Sequence, residues 1–188
     1  MCGFYCIISH DQIDLESSKK SLELIEHRGP DSQKYFFNKE KNVFIGFNRL
    51  SIVDLSNEAD QPMLDKDSQR IIVFNGEIYN HLEIRKFLET KNYFFNTASD
   101  TEVILMAYDY WKDNVVDKLE GMFSFVIYDS LKNNIFFARD RTGEKPLYYL
   151  SDKKKFYISS EIKPIHKDSK IQNISKDALN HYFEVGYS

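Results

Sequence analysis

The chain has 188 residues, 42% of them hydrophobic and 29% charged, with a formal net charge of -4. That length suits one domain over residues 1–188 with an ordinary buried core, and lysines and arginines scattered among acids leave no basic face for a nucleic acid. Cys2 and Cys6 cannot build a disulfide framework, no basic-then-apolar leader opens the chain, and no apolar run spans a bilayer, so the expectation is a cytoplasmic protein without membrane contact.

The first expected element is the strand FYCIIS (4–9), followed by a helical stretch over 14–27. Strands KYFF (34–37), VFIGFN (43–48) and RIIVFN (70–75) come next, rich in the aromatic and β-branched residues that strands favour. A helix is expected over 80–91, where Asn80 can cap and Leu82, Ile84, Phe87 and Leu88 supply the buried stripe. The helix over 99–113 opens on Ser99-Asp100-Thr101-Glu102, a capping box with Glu102 reaching back to Ser99. Strands MFSFVIYD (122–129), NIFFARD (134–140), LYYLS (147–151) and KFYISS (155–160) then follow through turns too short for crossover helices, so they pair antiparallel. A last helix is expected over 175–183. MFSFVIY is apolar at nearly every position, which means a sheet covered on both faces. The expected fold is therefore α+β, a four-layer αββα sandwich of two antiparallel sheets with outer helices.

Several stretches invite a chemical reading beside a plain one. Cys2 is either a buried strand thiol or a nucleophile that becomes N-terminal once Met1 is removed. Asn75-Gly76 reads equally as a hairpin turn or as a side-chain amide and an unhindered N–H aimed at one oxyanion. Arg49 suits a surface ion pair or a bidentate carboxylate clamp. Asp100 suits the helix dipole or an ammonium ligand, and Glu77 alone reads as solvated. RDRTGEKPLYY (139–149) reads structurally, as a strand, a turn at Thr142-Gly143 and a return strand. The five histidines lack metal-ligand spacing, so no metal is expected, and without G-x-x-x-x-G-K-S/T or G-x-G-x-x-G no phosphate cradle of those types is expected.

Cys2-Gly3, HRGPD (27–31), RLSIVD (49–54), QPM (61–63), NGEIYN (75–80), SDTEVI (99–104), GMFSFVIYD (121–129), RDRTGEKPLYY and SSEIKP (159–164) occur in that order over almost the whole chain. Together they resemble the glutaminase domain of glutamine-hydrolysing asparagine synthetases, class II glutamine amidotransferases with the N-terminal nucleophile hydrolase fold. The resemblance implies hydrolysis of L-glutamine through a Cys2 glutamyl thioester, with the freed α-amine as base. It implies an oxyanion hole from Asn75 and Gly76, an α-carboxylate site from Arg49 with backbone around Leu50, Ile52 and Val53, and an α-ammonium site from Asp100 and Glu77. Cys6 stands where the family carries a small residue and reads as a packed thiol. No cofactor is implied for this domain. ATP and magnesium belong to a C-terminal synthetase domain, whose loop this sequence lacks, so a fragment or part of a longer protein is expected. The partners implied are L-glutamine and that synthetase domain, with a homodimer allowed. A non-catalytic docking or regulatory module is the competing reading.

Overall fold

The computed structural model describes residues 2–50, 60–65, 69–171 and 175–186. In chain order these form β1 (Gly3–Ser9), α1 (Leu15–Glu23), β2 (Ser32–Asn38), β3 (Val43–Arg49), β4 (Met63–Leu64), β5 (Arg70–Ile78), α2 (His81–Glu89), α3 (Asp100–Trp111), β6 (Gly121–Asp129), β7 (Asn134–Arg139), β8 (Tyr148–Ser151), β9 (Lys155–Ser159), α4 (Ile162–Ser169) and α5 (Lys176–Val185). One sheet has the order β2-β3-β1-β9-β8 and the other β4-β5-β6-β7. Every pairing described is antiparallel.

Alternation along the strands sorts the apolar residues into three layers. Phe4, Cys6, Ile45 and Phe47 meet Ile71, Val73, Val126 and Tyr128 between the two sheets. Tyr5, Ile7, Phe44 and Tyr157 point the other way and pack on Leu22, Ile25 and Ile165 beneath α1 and α4. On the far side Ile72, Phe74, Phe125 and Ile127 pack on Ile84, Leu88, Ile104 and Tyr108 of α2 and α3. Each such side chain contributes roughly 1.5–3 kcal/mol of transfer free energy. Strands buried on both faces need apolar residues at every position, which is why MFSFVIY does not alternate. The layers run helix, sheet, sheet, helix, as expected.

Local details depart from the sequence reading. The helix expected over 14–27 ends at Glu23, and Glu26–Arg28 form a separate 3-10 turn after Ile25 leaves helical geometry with φ −118° and ψ 19°. Asn80 caps nothing with its side chain. Its amide bridges instead to Lys118 O at 2.9 Å and Glu120 N at 3.1 Å. Ile84 and Leu88 are buried, but Leu82 is 58% exposed and Phe87 39%, the latter stacked on Trp111. Ser99 does cap α3, accepting from Thr101 N. Glu102 reaches past it, to Asn96 N at 2.8 Å and Thr97 N at 2.7 Å, because Thr97 Oγ1 already satisfies Ser99 N. The sequence reading missed β4 and α4. Two residues are too few for periodicity to register, and Pro164 in the first turn of α4 masks a helix it can accommodate. On α5 no residue is buried, and Tyr182 and Phe183 are 52% and 76% exposed.

The largest correction concerns RDRTGEKPLYY. Its turn exists, with Gly143 at φ +70°, a conformation that costs glycine nothing. The strand that follows does not return to its own sheet: β7 pairs with β6, and β8 crosses to pair with β9. Asp140 makes that crossing. Its carboxylate accepts from Phe123 N at 3.2 Å, Glu144 N at 2.9 Å, Lys145 N at 3.0 Å and Thr142 Oγ1 at 2.9 Å. Burial alone would push this carboxyl up, but the hydrogen bonds from Lys145, Glu144, Thr142 and Phe123 outweigh it and hold Asp140 well below the usual carboxylate range.

Asp140→Asn is expected to cost about 3 kcal/mol of stability at pH 7, since it removes charge-assisted bonds and leaves donors unpaired. A carboxyl lowered by folding contributes stability above its unfolded value of roughly 3.9 and loses it as pH falls towards the folded value. The gap between wild type and variant in urea melts should therefore narrow from pH 7 to pH 3. A gap of constant size would refute this account.

Candidate active site

The site lies where β1 begins and β3 ends. Antiparallel register sets Gly3 opposite Asn48, so Cys2 falls beside the residues leaving β3. Leu50 N–H donates to Cys2 Sγ at 3.4 Å, and Sγ lies 3.6 Å from Leu50 O. The backbone of Cys2 is held from a second side, where Arg28 Nε donates to its carbonyl oxygen at 3.0 Å. Arg28 is in turn paired through Nη1 with Glu161 Oε1 at 3.4 Å, and His27 Nε2 lies 2.8 Å from the same oxygen. Burial would raise the Glu161 carboxyl, but the bonds from His27 and Arg28 outweigh it and keep it low. HRGPD thus anchors the residue that leads into β1, a role its sequence did not disclose.

A cavity of about 250 Å³ opens at this point. Cys2, Arg49 and Leu50 line it from the first sheet, and Asn75, Gly76 and Glu77 from the second. Asp100, at the N-terminus of α3, closes the far wall. Every described residue named from the sequence for the site therefore borders one cavity, while Ile52 and Val53 lie outside the described residues. Cys6 faces the same inter-sheet layer but does not reach the cavity. It is fully buried, and burial pushes its thiol up.

Asn75 and Gly76 do not form the hairpin turn. They continue β5, Asn75 opposite Ser124 and Gly76 opposite Phe123, and the strand runs on to Ile78. Gly76 is required by crowding: a Cβ there would stand 2.1 Å from Met122 O. The Asn75 side chain is 3% exposed, and its Nδ2 is buried with no hydrogen-bond partner, as is Ser124 Oγ across the ladder. A buried donor left unpaired costs about 1–3 kcal/mol, so the position points to an acceptor that arrives with a ligand.

The charges are divided across the cavity. Arg49 is 9% exposed and forms an ion pair with Asp60, so the ion-pair reading of this residue holds, though not at the surface. Opposite it, Asp100 accepts from Ile78 N at 3.1 Å. Burial pushes the Asp100 carboxyl up, and the Ile78 hydrogen bond and nearby His81 bring it only part of the way back. His81 sits 2.7 Å by Nδ1 from Ile78 O, and since a carbonyl only accepts, Nδ1 carries the proton. A cavity with a guanidinium at one wall and carboxylates at another fits a small zwitterion.

Among the further residues that line the cavity without having been assigned to it are Gln61, His81 and Lys145. Gln61 is 8% exposed and ties the second sheet to α3, accepting from Phe74 N at 2.5 Å and donating to Thr101 Oγ1 at 3.2 Å. Lys145 arrives on the loop that Asp140 holds. Among the described residues, no cluster of three or more His, Cys, Asp or Glu side chains has the arrangement to hold a metal ion, and no helix is long and apolar enough to cross a membrane.

A family model described as a glutamine amidotransferase domain matches residues 1–188. Asparagine synthetase [glutamine-hydrolyzing] 1 of Bacillus subtilis is 41% identical over 192 residues, which cover 100% of this chain and 30% of that protein. A putative asparagine synthetase [glutamine-hydrolyzing] 2 of Methanocaldococcus jannaschii is 41% identical over 209 residues, covering 100% of this chain and 40% of its own length. The chain thus spans about a third of these curated relatives. Among solved structures, the glutamine phosphoribosylpyrophosphate amidotransferase of B. subtilis, complexed with ADP and GMP, superposes with a TM-score of 0.73 at 20% identity. That match covers 89% of this chain and 44% of the other, and it establishes the likeness of fold.

The site geometry carries a stability consequence. A carboxyl raised by folding contributes stability below its unfolded value of roughly 3.9 and loses it as pH climbs through the folded value. Asp100→Asn removes that loss and keeps an oxygen for Ile78 N, so it should stabilise the ligand-free chain at pH 7 by about 1 kcal/mol, with no gain at pH 3. Urea melts at the two pH values test this, and a variant less stable at pH 7 would contradict it.

Proposed function

The chain belongs to the glutamine amidotransferase domain family, and from that premise we propose that it hydrolyses L-glutamine to glutamate and ammonia with Cys2 as the nucleophile. One observation carries the reading: thiol, guanidinium, side-chain amide and carboxylates, drawn from both sheets and from α3, border a single cavity of about 250 Å³.

Removal of Met1 makes the α-nitrogen of Cys2 a free amine, with an ordinary pKa of roughly 7.7–8.0 and thus able to take the thiol proton near neutrality. The Leu50 N–H, 3.4 Å from Sγ, donates to the sulfur and holds it in place. Sulfur attacks the side-chain amide carbon of glutamine, and the carbonyl oxygen becomes an oxyanion received by the Asn75 amide and the Gly76 N–H. As the tetrahedral species collapses, the α-ammonium returns its proton to the departing nitrogen and ammonia leaves. Water, deprotonated by the same amine, attacks the glutamyl thioester, and glutamate departs as the thiol re-forms. Arg49, with the backbone of Leu50, Ile52 and Val53, receives the α-carboxylate in this reading. Asp100 and Glu77 receive the α-ammonium. The raised Asp100 carboxyl supports this role, because an ammonium ligand relieves the cost of holding that charge in a partly buried place.

Residues 1–188 act in this reading as one cytoplasmic domain. Its ammonia serves an asparagine-synthetase-type amidation in a longer protein, where ATP and magnesium act on the acceptor. The glutaminase step itself needs no cofactor.

The test is glutamate release from L-glutamine by protein whose Met1 removal is verified by intact mass. Cys2→Ala should abolish release, and Asn75→Ala should lower kcat on the order of 10²–10³-fold. Release that persists in Cys2→Ala would overturn the assignment.

A further inference from the structure

Arg49 does not wait for its ligand unaccompanied. Asp60 pairs with Arg49 Nη1, and its other oxygen lies 2.5 Å from Lys34 Nζ. Lys34 stands on β2 and Arg49 ends β3, so two neighbouring strands each direct a cation at one carboxylate. The Asp60 and Arg49 side chains are 10% and 11% exposed, and Lys34 is 51% exposed. Burial by itself would push Asp60 up, but the bonds from Lys34 and Arg49 outweigh it, so the carboxyl is ionised at neutral pH.

We propose that Asp60 is an internal competitor for Arg49, a resident carboxylate that sets how tightly the α-carboxylate of glutamine is held. The inference rests on reading Arg49 as the α-carboxylate clamp. An incoming carboxylate either takes the guanidinium from Asp60 or shares it, and in both cases two like charges approach in a place largely shielded from water. Lys34 moderates the competition by drawing Asp60 charge away from Arg49. Of these three groups, two cations and one anion leave a net positive charge for the incoming carboxylate. The two neighbours of Asp60 therefore act with opposite sign on substrate affinity.

Asp60→Asn keeps the shape and an amide oxygen for Arg49 while removing the charge. Lys34→Met removes a half-exposed cation and leaves the full charge of Asp60 on Arg49. Glutamine is titrated calorimetrically into Met1-processed Cys2→Ala chain, which does not consume it, with and without each change, and KM and kcat are measured in the chain that retains Cys2. Asp60→Asn should tighten Kd and lower KM about fivefold, and Lys34→Met should raise both about threefold, the effect lying in KM rather than kcat. The probe 4-aminobutanamide, which is glutamine without the α-carboxylate, should gain nothing from Asp60→Asn. The proposal falls if wild type binds glutamine and Asp60→Asn binds it no more tightly, or if the probe tightens equally. If wild type neither binds nor hydrolyses glutamine, the Arg49 clamp itself fails, and the role of Asp60 fails with it.

Discussion

The register of β1 against β3 is the constraint on which the site depends. Gly3 lies opposite Asn48, and the hydrogen bond from Leu50 N–H to Cys2 Sγ extends that ladder by one step. Because side chains alternate along a strand, a slip of one residue would send Cys2 to the face that meets α1 and turn Phe4 and Cys6 out of the inter-sheet layer. Apolar packing forbids the slip: Phe4 and Cys6 are wholly buried between the sheets, while Tyr5 and Ile7 are buried under the helices. The position of the thiol is thus settled by hydrophobic pattern several residues away. Arg28 then ties down its carbonyl.

Two aspartates, Asp140 buried and Asp100 partly buried, do opposite kinds of work. Asp140 is surrounded by donors and fastens the loop that carries the chain from one sheet to the other, so its charge stabilises the fold. Asp100 has one backbone donor besides its own helix terminus, and burial dominates, so its charge is held at a cost. Fold and function draw on the same physics with reversed sign. A carboxylate whose hydrogen-bonding capacity is filled belongs to the architecture, and one held with less than full compensation is available to a ligand.

Strands were the most legible part of the sequence, because two-sided burial writes long apolar and aromatic runs. The four layers followed from MFSFVIY having no wet face. Connections were harder. The path of β7 to β8 depends on Asp140 gathering backbone donors from residues before and after it, and no periodicity records that. For Asn75-Gly76 a turn and a pair of oxyanion donors read equally well locally, and long-range pairing with β6 makes the two residues strand. Five of the seven described site residues were single polar positions with a credible ordinary role, and only their gathering on one cavity distinguishes them. Gln61, Lys145 and Arg28 each lie within a recognisable motif and His81 directly follows one, but none carried a separate signal, because the contact with the site is made across the fold.

The cavity takes Cys2 and Arg49 from one sheet, Asn75 and Gly76 from the other, and Asp100 from a helix packed behind the second. No single element holds half of it in working order. The site is therefore a property of the inter-sheet contact, and any excursion that parts the sheets dissolves it before either sheet has unravelled. A site built across a seam in this way behaves as a sensor of cooperative integrity. In a population of molecules, the fraction able to bind at any instant cannot exceed the fraction in which the two sheets are closed on one another.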